Sequence, residues 1–153
     1  MEISKDFEEF FALLNRHKAR YLIVGGYAFA IYAMPRYTKD IDIWIDAEKS
    51  NAQRILKALK DFGFGNVGIR LQDLTNVNRV IQLGYPPLRI DLLTSVSSVS
   101  FEQAWRRKVQ SRYGRQKVYF ISKTDLVESK KGTGRKQDEA DIELLKMRSR
   151  KRR

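Results

Sequence analysis

The pattern Val24-Gly25-Gly26, followed after thirteen residues by Asp40-Ile41-Asp42, constrains this chain more than any other stretch. Tyr21 to Val24 is a short apolar run, and Tyr27 to Met34 reads as a helix that Pro35 stops, so the glycine pair sits at a tight turn between strand and helix. Glycines there let the backbone approach a ligand closely, and the first unpaired amides of the helix face whatever anion lies beyond the turn. Asp40-Ile41-Asp42-Ile43-Trp44-Ile45 alternates as a strand does, which puts both carboxylates on one face, about 7 Å apart, and turns Ile41, Ile43 and Ile45 toward the core. Hard cations such as Mg²⁺ prefer carboxylate and phosphate oxygens together, and two ions about 4 Å apart stabilise both oxygens of an in-line displacement.

An acid pair on a strand is, taken alone, more often a solubility device of an edge strand. Two features shift that balance: the glycine turn upstream, and Asp91 in the strand-like run Leu88-Arg89-Ile90-Asp91-Leu92-Leu93. Strand parity gives Asp91 the same face as Arg89 and Leu93, and a carboxylate among apolar residues is costly unless a cation or hydrogen bonds compensate it. The expectation is a metal site of three carboxylates, Asp40, Asp42 and Asp91.

With 153 residues and a 42% hydrophobic fraction, the chain has the material for one packed core, expected over 1–147. The closing Arg148-Ser149-Arg150-Lys151-Arg152-Arg153 has no apolar anchor and reads as a flexible basic tail. There is no Cys and a single His, so disulfides and thiolate metal sites are excluded and zinc chemistry has little support. No apolar stretch approaches the ~20 residues of a membrane span, and the acidic N-terminus lacks the order of a signal peptide, so the expectation is a cytoplasmic protein with no membrane partner. Residues 101–153 carry 17 of the 30 basic residues but only 7 of the 18 acidic ones. Such an excess points to a polyanionic partner, against the plainer reading of a solvated surface.

Phe7, Phe10, Phe11 and Leu14 recur at helical spacing, so Ser4 to about Lys18 is expected to be an amphipathic helix, with His17 as a helix-end or surface residue. A third helix runs through Ala52, Ile55, Leu56 and Leu59 to about Gly63. Strands are expected at Val67 to Leu71, Arg79 to Leu83 and Lys117 to Ile121, with capping boxes at Ser100-Phe101-Glu102-Gln103 and Ser122-Lys123-Thr124-Asp125 opening helices. A last helix covers Arg135 to about Met147, on which Arg135, Asp138 and Asp141 form a stripe read as structural ion pairs.

These motifs resemble the nucleotidyltransferase superfamily typified by the DNA polymerase β palm, and more closely its minimal single-domain members from abortive-infection and toxin–antitoxin systems. The matching text is Val24 to Ala28, Pro35-Arg36-Tyr37-Thr38-Lys39-Asp40-Ile41-Asp42, Arg89-Ile90-Asp91, and Lys123-Thr124-Asp125-Leu126 with Lys130, Arg135, Asp138 and Asp141. The resemblance implies an α/β (α+β) fold with a mixed β-sheet flanked by helices, and two Mg²⁺ ions, with Mn²⁺ as a substitute. It further implies transfer of a nucleoside monophosphate from a triphosphate such as ATP to an acceptor hydroxyl. Carried over by position, Asp40 and Asp42 hold the metal shared with the triphosphate, and Asp91 is the third carboxylate and activates the acceptor. Gly25 and Gly26 cradle phosphates, Thr38 belongs to the same motif, and Arg36 with Lys130 neutralises the departing pyrophosphate, Lys131 being an alternative to Lys130. Many relatives have Ser where this chain has Gly26, so phosphate contact there falls to backbone amides.

The basic C-terminal third favours RNA, a tRNA end above all, as the acceptor, and the resemblance to toxin–antitoxin members implies an antitoxin protein as a partner. A small molecule or a protein hydroxyl would use the same three acids. A reading of another class is a catalytically idle, basic nucleic-acid-binding module that keeps the fold; three retained carboxylates argue against it.

Overall fold

The computed structural model describes residues 3–36, 38 and 40–151, without the side chains of 148–151. Helix α1 (Lys5–Arg16) starts where the Ser4 hydroxyl accepts the Phe7 amide, and its apolar face buries Phe7, Phe10, Phe11, Leu13 and Leu14. Each such side chain contributes about 1.5–3 kcal/mol relative to exposure. Strand β1 (Tyr21–Val24) runs directly into helix α2 (Gly25–Tyr32), and β2 (Asp40–Ile45) returns antiparallel beside β1. Helix α3 (Lys49–Leu59) continues into a widened turn at Lys60–Phe64, where Gly63 takes φ +106°.

The strand expected at Val67 to Leu71 is not one. Gly68 takes φ +80°, and the Asp73 carboxylate accepts the Arg70 amide at 2.8 Å, which opens the short helix α4 (Leu71–Thr75) instead. After it come β3 (Val80–Leu83), β4 (Arg89–Leu93), α5 (Phe101–Arg106), β5 (Val109–Tyr113), β6 (Gln116–Phe120), α6 (Lys123–Lys131) and α7 (Lys136–Lys151). The Ser100 and Ser122 hydroxyls cap α5 and α6, which is the serine half of each expected capping box. The Gln103 amide reaches Asp125 at 3.4 Å, tying the two helices together. Helix α7 extends past Met147 to Lys151; the expected flexible tail otherwise falls on side chains and residues outside the described ones.

Among the described residues the six strands form one mixed sheet in the order β3-β4-β2-β1-β6-β5, flanked by helices, as the resemblance implied. β2 and β4 are parallel, as are β1 and β6, and the other pairs are antiparallel. Ile41, Ile43 and Ile45 are fully buried, and Phe11 stacks on Tyr21 from α1. On the opposite face Trp44 meets Phe101 of α5 edge-on. Among the described residues no helix is long and apolar enough to cross a membrane.

Candidate active site

The register of three strands assembles the site. Val24, the last residue of β1, pairs with Asp42, and across β2 Asp42 pairs with Asp91 while Asp40 pairs with Arg89. Paired residues of adjacent strands share a face, so the glycine turn, two β2 acids and the β4 acid converge at one end of the sheet.

Gly25 has φ +66°, a conformation that disfavours side chains, and a Cβ there would run into the Asp42 Oδ2. The absence of a side chain is what lets the Asp42 carboxylate lie against the turn. A Cβ on Gly26 would meet the Thr38 methyl, so the second glycine admits the Thr38 side chain close to the turn. Thr38 also hydrogen-bonds Tyr27, whose phenol is raised above its ordinary pKa by burial, an effect this bond partly offsets. Among the described residues, Val24 supplies no side-chain cap to α2.

Arg89 stands among the carboxylates. Its Nε and Nη2 donate to the two oxygens of Asp91 at 2.9 and 3.0 Å, and Nε lies 3.5 Å from Asp40 Oδ2. The compensation that a buried Asp91 demanded therefore comes from its neighbour two residues back on the same strand face. Among the described residues Asp42 has no such partner: burial, then the charges of Asp91 and Asp40, push its pKa up to about 6, with Arg89 opposing.

Among the described residues no three acidic or imidazole side chains are gathered as a ready-made cation site. The donor set nevertheless fits a hard divalent cation. Asp40 Oδ1 is buried with no hydrogen-bond partner, which is costly unless a cation faces it, and Asp42 is destabilised in its charged form for the same reason. Arg89 supplies positive charge to two of these carboxylates, Asp40 and Asp91.

Arg36 and Lys130 lie together, but both are already engaged. Arg36 makes a bidentate pair with Asp141, at 3.0 and 2.5 Å, and stacks 3.8 Å over the Phe29 ring. Lys130 donates to Asp141 at 2.8 Å and to Asp138 at 3.2 Å, and its side chain is 12% exposed. Burial alone would raise the Asp141 carboxyl, but hydrogen bonds from Arg36, Lys130 and Gln137 bring it down to about 2. Asp138 and Asp141, read from sequence as a structural stripe, are thus the groups that fix both cations. Lys131 pairs with Glu128 at the surface. Arg36 and Thr38 also line a groove of about 600 Å³ whose apolar walls include Phe7, Tyr27, Ile31 and Leu88.

The fold has relatives among solved structures. The lincomycin-bound lincosamide antibiotic adenylyltransferase LnuA is similar with a TM-score of 0.55 and 18% identity, over 95% of this chain and 98% of that one. An antigenic nucleotidyltransferase-like protein from Paracoccidioides brasiliensis is similar with a TM-score of 0.51 and 15% identity, over 95% and 77%. At such identities the likeness concerns the fold. No curated protein matches the sequence. Residues 1–150 match the family described as "Nucleotidyltransferase of unknown function (DUF6036)", and the chain, with its glycine turn and its β2 and β4 acids in register, belongs to that family of nucleotidyltransferases.

Proposed function

We propose that the chain moves a nucleoside monophosphate from a nucleoside triphosphate to an acceptor hydroxyl, with Asp40, Asp42 and Asp91 at the reaction centre. The observation that carries this is the cross-strand register: Asp42 lies between the Gly25 turn on one side and Asp91 on the other. The amides of Gly25 and Gly26 take phosphate oxygens at the open start of α2. Arg36, whose side chain is 29% exposed, reaches the phosphates by exchanging Asp141 for them, while Lys130, held by two carboxylates, keeps Asp141 in place. Asp91 takes the acceptor proton once Arg89 releases one of its oxygens. The acceptor oxygen bonds to the α-phosphorus as the bond to pyrophosphate breaks, and pyrophosphate leaves with the electron pair. Asp40 and Asp42, with Asp91, would hold Mg²⁺, which would supply Lewis acidity toward the triphosphate.

RNA is the acceptor we favour, because the net charge of +12 is concentrated toward the C-terminus. An antitoxin partner belongs to this reading and is tested by co-purification. The apolar groove beside Thr38 favours a second reading, a small hydroxyl compound as acceptor. Incubating the protein with Mg²⁺ and each of the four α-labelled triphosphates, with RNA, protein or small-molecule extract, separates them. Label in RNA supports the first reading, label in a small molecule the second, and label in no fraction overturns both.

A further inference from the structure

We propose that a basic, aromatic cleft at the far end of the sheet, built from Lys18, Arg20, Trp105, Lys117 and Tyr119, docks single-stranded RNA whose terminal hydroxyl reaches Asp91. The proposal rests on the transferase reading above and adds a docking surface to it. The cleft encloses about 370 Å³. Its floor is Trp105 against Tyr119, edge to face at 5.3 Å between ring centroids. Lys108 Nζ sits 4.2 Å over Trp105 and 5.7 Å over Tyr119, and the Arg20 guanidinium sits 5.4 Å over Trp105. Lys108 Nζ also donates to the Trp105 carbonyl at 3.3 Å. Among the described residues the carboxylates paired here are Glu102 and Asp46, both on Arg20, at 3.4 and 3.9 Å.

A second observation concerns β5 and β6. Arg112 and Lys117 are direct cross-strand partners, both exposed. Like charges placed opposite one another destabilise a sheet, so this pair opposes the fold unless an anion lies over it. Two cross-strand cations running into a cleft with aromatic rings match the chemistry of a single strand, whose phosphates repeat and whose bases stack on any ring.

The register also fixes where the cleft lies. Ile23 pairs in parallel with Phe120, so Lys117 is level with Arg20, four residues before Val24 and the acids. Alternation puts Lys117 and Tyr119 on the sheet face that Val24 shares with Asp42. Strand rise and spacing then place Lys117 about 20 Å from Asp91, across β1 and β2. Leu22 and Trp44 on that face are buried, so the RNA passes around what covers them, a path of several nucleotides.

The test is the affinity of the full chain for a short labelled single-stranded RNA, without nucleotide and with EDTA, from low to moderate salt. The double variant Arg112→Ala/Lys117→Ala should bind about tenfold more weakly, with a salt slope shallower by about 1.4, the share of two phosphate contacts. The double variant Lys49→Ala/Lys57→Ala removes the same charge from exposed positions on α3 and should bind as the wild type does. RNA should also change the emission of Trp105, since Trp44 is 1% exposed, and Trp105→Phe should abolish that change. Equal weakening by both double variants, no RNA binding by the wild type, or an emission change that survives Trp105→Phe would overturn the proposal. Because neither metal nor triphosphate is present, such a failure leaves the transferase reading standing, whereas loss of transfer with RNA binding intact strikes that reading alone.

Discussion

Arg89 and Asp91, two residues apart on β4, are joined by a bidentate pair in which Nε and Nη2 meet the two carboxylate oxygens at 2.9 and 3.0 Å. The side chain expected to help bind a metal and receive a proton is thus held by a cation from its own strand. Arg89→Gln should lower the thermal stability of the metal-free protein. It should also raise divalent affinity, read by Mn²⁺ titration, by about tenfold, the scale of one charge-assisted contact. Unchanged Mn²⁺ affinity would mean that Arg89 does not compete for the site.

Asp42 gives a pH-dependent prediction. Its folded-state pKa, about 6, lies above the ordinary value of 3.8, so the folded chain holds this proton more tightly than the unfolded one. The stability that this adds is fully present below about pH 4 and is lost as pH rises through about 6. Asp42→Asn should therefore stabilise the metal-free protein near neutral pH, by at most about 3 kcal/mol, since one pKa unit is about 1.4 kcal/mol and part of the side chain reaches solvent. The gain should vanish toward pH 4. Melting curves of both proteins across that range check it, and a gain independent of pH would contradict it.

Asp141 is the opposite case. Its carboxyl, lowered to about 2, contributes stability above the ordinary carboxylate range that is lost as pH falls through about 2. Asp141→Ala leaves Arg36 and Lys130 without their shared partner at a position 1% exposed, and should cost about 3–5 kcal/mol. Chemical denaturation measures it. A cost under 1 kcal/mol would show that the two cations find other partners.

Gly25→Ala should impair the site locally. The residue must hold φ +66°, and the new methyl would displace the Asp42 carboxylate. A backbone penalty of about 1–2 kcal/mol is expected. Turnover should fall far more than stability, whereas near-normal transfer by Gly25→Ala would show that the close approach of turn and carboxylate is dispensable.

The parts legible in the sequence were those with a strict local period. Alternation in Asp40 to Ile45 placed β2 and its inward isoleucines, and the spacing of Phe7, Phe10, Phe11 and Leu14 placed α1. Local chemistry misled at Val67 to Leu71, where a positive-φ glycine and the Arg70–Asp73 capping contact override an apolar run. Strand β5 was not anticipated, since Val109-Gln110-Ser111-Arg112-Tyr113 carries little apolar content and is held by pairing with β6. In the site, parity predicted that Arg89 and Asp91 share a face, but not that the guanidinium would take both carboxylate oxygens. The engagement of Arg36 with Asp141 joins residues 105 positions apart, and the only local hint was the three-residue spacing of Asp138 and Asp141. Pairings over such separations are set by helix packing, which composition and periodicity do not encode.

The most direct test of the central claim, that Asp40, Asp42 and Asp91 form a metal-dependent nucleotide site, needs no acceptor. Calorimetric titration of the wild type and Asp42→Asn with a non-hydrolysable triphosphate, with and without Mg²⁺, should show Mg²⁺ tightening binding to the wild type by tenfold or more, about 1.4 kcal/mol, and leaving the variant unchanged. Equal tightening in both proteins would contradict the account.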